Sequence, residues 1–181
     1  PAGTSNTSID AGYYQPASIG DFVWNDSNAN GQQNGGEAGL NGVTVTLYRY
    51  GFGADGVAGN ADDSQPVATT TTAGAGAYSF ANLRPGTYQL NFGSLSGYNR
   101  TLANLGADAT DSDGDDTTGQ TANIVLAPGA NNITTDAGYY QPASIGDHVW
   151  NDINANGQQD SGESGLDGVT VSLFRPGFGA D

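Results

Sequence analysis

Asp26, Asn28, Asn30, Asn34 and Glu37 put oxygen-bearing side chains at steps one, three, five, nine and twelve of the stretch DSNANGQQNGGE. Asp152, Asn154, Asn156, Asp160 and Glu163 do the same in DINANGQQDSGE. Gly31 and Gly157 stand at step six, and Gln32 and Gln158 at step seven. A short loop with this spacing can wrap a hard cation: alternate side chains turn inward and glycine permits the sharp bend. Step seven offers a backbone carbonyl, and a bidentate Glu closes the shell. The expected ion is Ca²⁺. Of nineteen acidic residues only two are Glu, both at step twelve of this loop, a placement that a merely solvated acidic surface does not require. The alternative is a polar hairpin connection whose Asn and Gly only make turns. Step eight is Gln33 or Gln159, where paired calcium-sensor loops carry an apolar residue, so each loop is expected to be a single structural site.

A second acidic segment, GADATDSDGDDTTG, carries Asp108, Asp111, Asp113, Asp115 and Asp116. Carboxylates this dense repel one another unless a cation sits among them, and the alternation of Asp111, Asp113 and Asp115 around Gly114 can aim them at one centre. A mobile acidic loop is the competing reading. A third candidate, GADGVAGNADD, holds Asp55, Asn60, Asp62 and Asp63 at a less diagnostic spacing. The nearby Gly51 and Gly53 make no phosphate loop, because no Lys and no helix start follow them.

Other chemistry has little to stand on. The chain has no Cys and no Met, and its four cationic residues are all Arg. His148 is the sole histidine, and its position one repeat earlier is Phe22. A nucleophile with a base and an orienting group cannot be assembled from these parts, so no enzymatic activity is expected. Carboxylate pairs exist, but they lie in Gly-rich loops whose spacing suits metal. The net charge of -15 excludes nucleic acid and anionic membrane surfaces as partners, which leaves cations as the natural ones. No apolar run is long enough to span a bilayer. Trp24, Trp150, Tyr13, Tyr14, Tyr139 and Tyr140 are expected in the core or at domain junctions rather than on a ligand platform.

The elements that position the loops follow from a long internal repeat. Residues 10–55 return at 136–181 with 37 of 46 positions identical, a period of 126 residues, which is that of a whole domain. The expected organisation is the end of one repeat (1–16), a complete repeat (17–142) and the start of a third (143–181), within a longer tandem array. Only Gln141, Pro142, Ala143 and Ser144 lie between successive repeats, so the junction is expected to be stiff. Period-two alternation predicts strands over 18–24, 42–49, 66–72, 77–80, 87–92, 122–126 and 132–140, with 82–86 as a turn and 66–72 at an edge. Short strands at this spacing predict an all-β, two-sheet antiparallel sandwich.

The motifs ASIGDFVWND, the NxNGxQ loop, GLNGVTVTLY, AYSFANLRPGTYQL and DAGYY, in that order, resemble the B repeats of the serine-aspartate repeat adhesins, the SdrD B-like domains, relatives of the Cna-B fold. The resemblance covers essentially the whole chain. It implies a Cna-B/Ig-like β-sandwich stabilised by calcium, serving as a stalk or spacer on an exported bacterial protein, at the cell surface or outside the cell. The Lys to Asn or Asp isopeptide bond of many Cna-B domains is excluded, because the chain has no Lys.

The function expected is therefore structural: a calcium-stabilised repeat module of an extracellular stalk or fibre, its partners being calcium ions and neighbouring repeats. The alternative is a calcium-dependent adhesin module for a matrix ligand. Lateral pairing with other fibre chains through an edge strand is a third possibility.

Overall fold

The computed structural model describes residues 8–51, 59–60, 63 and 65–174. Two compact units divide it, Pro1–Pro142 and Ala143–Asp181. In the first, all regular structure is strand: β1 (Ala17–Ile19), β2 (Val23–Asn25), β3 (Thr44–Arg49), β4 (Pro66–Thr71), β5 (Phe80–Leu83), β6 (Gly86–Phe92), β7 (Asn99–Arg100), β8 (Ile124–Leu126), β9 (Asn131–Asn132) and β10 (Ala137–Tyr140).

β3 shows why. Its alternation sends Val45 and Leu47 inward, continued by Val43 just before the strand, and all three are fully buried. Thr44, Thr46 and Tyr48 take the other face. β6 answers in antiparallel register, Val45 opposite Phe92 and Leu47 opposite Leu90, with Tyr88, Leu90 and Phe92 inside. Each such side chain contributes about 1.5–3 kcal/mol by leaving water. The sheet runs β4-β3-β6-β8, so the Thr-rich β4 lies at an edge, as its composition predicts.

The other side of the core consists of two three-stranded sheets, β5-β1-β9 and β2-β10-β7. Here the structure departs from two long predicted strands. Residues 18–24 break into β1 and β2, and 132–140 into β9 and β10, because each segment changes sheets partway. Gly20 sits at the first break, where a Cβ would lie 2.6 Å from the Tyr78 carbonyl oxygen. The predicted turn over 82–86 also moves: Asn82 and Leu83 belong to β5, with Asn82 left-handed at φ 58°. The antiparallel expectation holds for five of the seven strand pairings among the described residues. The other two, β1 with β9 and β10 with β2, are parallel, since the chain returns to the same end after a long excursion.

The sandwich core is aromatic. Trp24, Tyr88, Tyr139 and Phe92 are fully buried, and Tyr78 meets Phe92 edge-on at a centroid distance of 5.6 Å. Tyr13, by contrast, is exposed. The described part of the second unit contains no strand, only a bridge between Trp150 and Gly165 that repeats the one between Trp24 and Gly39.

Candidate metal centre

The first loop starts where β2 ends and closes on the same strand. The Asn25 N–H donates to Ala38 O and the Leu40 N–H to Val23 O, both at 2.8 Å, so 26–37 is a closed excursion from one strand. Inside it the side chains fold the backbone around themselves. Asp26 accepts from the N–H groups of Asn30 (3.2 Å) and Gly31 (2.8 Å), and Gly31 takes the positive φ of 76° that the bend needs. Asn28 Oδ1 accepts from Asn30 N, and Asn30 Oδ1 from Gln32 N. Glu37 bends back across the mouth, Oε1 accepting from Ser27 N and Oε2 from Asn34 N, each at 2.8 Å. The amides of Asn28 and Asn30 converge on Asn34 Oδ1 at 2.9 and 3.0 Å.

Five polar side chains are thus gathered at the steps predicted, and rotating the Asn28 and Asn30 amides would present oxygen where nitrogen now stands. Only two of the five are carboxylates, in keeping with the absence, among the described residues, of any close group of three His, Cys, Asp or Glu side chains. The residues fit a calcium ion held mainly by neutral oxygens, with Asp26 and Glu37 supplying the charge. Gln32 pairs with Asp111 in a bridge made by its neighbours, Ser112 N donating to Gly31 O and Gln33 N to Thr110 O. Thr101 Oγ1 donates to the buried Asp26 carboxylate at 2.6 Å. The loop is therefore docked on the acidic segment.

The second loop repeats this network. Asp152 accepts from Asn156 N and Gly157 N, Glu163 from Ile153 N and Asp160 N, and the Asn154 and Asn156 amides converge on Asp160. Asn154 Oδ1 and Asn156 Oδ1 cap the next turns as before, the latter accepting from Gln158 N.

The acidic segment is not arranged as its alternation suggests. Asp111 is buried and accepts from Gly106 N at 2.7 Å, and Asp113 accepts from Asp136 N at 2.9 Å. Asp115 is exposed and caps a turn, accepting from the N–H and hydroxyl of Thr118, which hold its carboxyl below the usual range. Asp116 is exposed beside Thr117, and Asp108 is exposed as well. Gly114 does not bring Asp111, Asp113 and Asp115 to one point, because the turn that Asp115 caps carries it away.

Two residues absent from the sequence-based set join Asp113 instead. Asp136 precedes β10 and is buried, and Asp21 lies between β1 and β2. Burial, reinforced by Asp113, Asp21, Asp111 and Asp108, pushes the Asp136 carboxyl up to about 9. Burial raises Asp113 to about 7, with Asp108, Asp111 and Asp21 adding to it against the Asp136 N–H, and burial raises Asp21 to about 6. The available signal was the repetition of GD before VW and of D before AGYY, which place an acid beside each of the paired strands β2 and β10.

Of the third candidate, Asp55 and Asp62 lie outside the described residues, while Asp63 Oδ2 accepts from Gly59 N and Asn60 N in an exposed turn. His148 is exposed. Among the described residues no helix is long and apolar enough to cross a membrane.

Compared with known proteins, residues 17–139 and 143–177 match the SdrD B-like domain family. The chain is 42% identical over 172 residues, 93% of its length, to serine-aspartate repeat-containing protein F of Staphylococcus epidermidis, and 39% identical over 175 residues, 94% of its length, to serine-aspartate repeat-containing protein D of Staphylococcus aureus (strain Newman). It spans only 9% and 12% of those relatives. Among solved structures, the minor pilin GBS52 of Streptococcus agalactiae gives a TM-score of 0.43 at 13% identity, covering 74% of this chain and 48% of that one, a loose likeness on which nothing below rests.

Proposed function

Because this chain belongs to the SdrD B-like domain family, we propose that it is a structural repeat module of an extracellular bacterial surface stalk or fibre, rigidified by calcium in its twelve-residue loops. The observation that carries the calcium reading is the duplicated loop network: two segments 126 residues apart gather the same five polar side chains through the same hydrogen bonds. Asp26 and Glu37 would hold the ion in one loop and Asp152, Asp160 and Glu163 in the other, with Asn28, Asn30, Asn34, Asn154 and Asn156 completing the shells. The ion supplies charge neutralisation and no chemistry. Residues 17–142 form one repeat unit in this reading, and 143–181 begin the next.

The spacer role is favoured over a ligand platform because Trp24 and Tyr139, the aromatics of the repeated motifs, are spent inside the core. For extracellular modules the expected dissociation constant is about 10⁻⁴–10⁻³ M. Calorimetric titration of calcium into the chelator-stripped chain, with thermal melts before and after, tests the reading. Saturable uptake with a higher melting temperature is expected. No uptake and an unchanged melt would reduce the loops to solvated turns.

A further inference from the structure

Asp136 is buried to 2% exposure, and its Oδ1 has no hydrogen-bond partner. An orphaned carboxylate oxygen is costly in a protein interior unless a proton or a cation meets it. Every charge that acts appreciably on Asp136 is another carboxylate, from Asp113, Asp21, Asp111 and Asp108. The backbone holds the group together: Asp113 and Asp136 exchange N–H bonds, Asp113 N to Asp136 O at 3.0 Å and Asp136 N to Asp113 Oδ2 at 2.9 Å. Tyr78 lies against it, its N–H donating to Asp21 O and its hydroxyl to Thr135 O. A cavity of about 290 Å³, lined by Asp108, Asp113, Thr134 and Thr135 among others, opens beside Asp113 and is roomy enough for a hydrated ion.

We propose that Asp21, Asp113 and Asp136 form a second, buried calcium site, separate from the twelve-residue loops, that clamps together the β1–β2 connection, the acidic segment and the start of β10. The donors are all hard oxygens, which suits calcium better than a transition metal. Because no three carboxylates already stand at ligand distance among the described residues, water from the cavity completes part of the shell. The clamp has a mechanical sense. β10 pairs with β2 in parallel, Ala137 opposite Val23, so an ion between Asp21 and Asp136 ties the first and last parts of the repeat at the point where they meet. The site needs no ion in either loop, so the two readings stand or fall separately.

The test uses the whole 181-residue chain, stripped with chelator and titrated with calcium alone. Asp136→Asn keeps the shape and removes the charge. The expected result is the loss of one ion per chain, with a melt higher than the parent's in chelator and lower than the parent's in calcium. That crossover is one that a purely structural role for Asp136 does not give. Glu37→Gln should weaken the loop and leave the Asp136-dependent ion in place. With terbium as a luminescent stand-in, Tyr78→Phe should dim the emission that Asp136→Asn abolishes. Unchanged stoichiometry in Asp136→Asn, or a melt lowered equally in chelator and in calcium, would overturn the proposal and leave Asp136 a buried neutral acid. If Glu37→Gln and Glu163→Gln change nothing while Asp136→Asn loses its ion, the loop reading fails and the buried site stands.

Discussion

Leu47 and Leu173 occupy the same step of the repeat, yet Leu47 is fully buried and Leu173 is 79% exposed. The same contrast separates Ile19 from Ile145 and Val45 from Val171. The loops just upstream of these leucines do not differ in this way. Residues 26–37 and 152–163 make the same internal hydrogen bonds, with Gly31 and Gly157 at φ 76° and 74°. The difference teaches which interactions are local. A loop bond joins residues no more than ten apart, so the loop closes wherever those residues occur. A strand needs partners: β1 requires β5 and β9, β2 requires β10, and β3 requires β4 and β6, none of which has a counterpart within 143–174. Neither apolar face can be buried by its own segment.

Three measurements can break or sharpen that contrast, and the largest effect concerns the carboxylates. Asp21, Asp113 and Asp136 bind protons more tightly in the folded chain than in the unfolded one, with carboxyls raised from the model value of 3.8 to about 6, 7 and 9. The folded state then holds more protons than the unfolded state between these limits, so stability falls as pH rises from about 4 towards 9. In chelator the melting temperature of the first unit should drop across that window, under the combined influence of Asp21, Asp108, Asp111, Asp113 and Asp136 with Tyr78 against them. Asp21→Asn should flatten the slope, whereas substituting its exposed counterpart Asp147 should leave it alone. A pH-independent melt would show these acids to be better solvated than their burial implies.

Next in size is the core. Leu47→Ala should cost about 2–5 kcal/mol, while Leu173→Ala should stay within about 0.5 kcal/mol, both read from denaturant midpoints. Equal costs would mean that the second unit also buries its leucine in solution. The smallest difference is expected where the two copies are most alike. Glu37→Gln and Glu163→Gln should each weaken one calcium site by a similar factor in calorimetry, because Glu closes both loops in the same way. The Glu37 variant should also lower the melt, since its loop is docked through Asp26, Thr101 and Ser112. A large disparity in affinity would show that docking, rather than the loop's own residues, sets the binding strength.

Much of the fold was legible in the residues. Val43, Val45 and Leu47, and Tyr88, Leu90 and Phe92, announce their inward faces by simple alternation, and the Thr-rich β4 announces an edge. The breaks in 18–24 and 132–140 were not legible, because alternation is blind to which sheet a strand joins. Nor were the parallel pairings, which depend on where distant segments arrive. In the candidate sites, Asp26, Asn28, Asn30, Asn34 and Glu37 assemble at the steps that their spacing indicates. Asp115 misleads, since a carboxylate three residues before a Thr caps a turn more readily than it turns inward.

The sequence by itself thus determined the loops and the alternating faces, because short-range hydrogen bonds and side-chain periodicity close within a few residues at little entropic cost. The buried acid group was decided only by the tertiary structure. Asp21, Asp113 and Asp136 lie far apart along the chain and are drawn together by the pairing of β10 with β2. Burial of the surrounding aromatic core supplies the free energy that holds three like charges in one place.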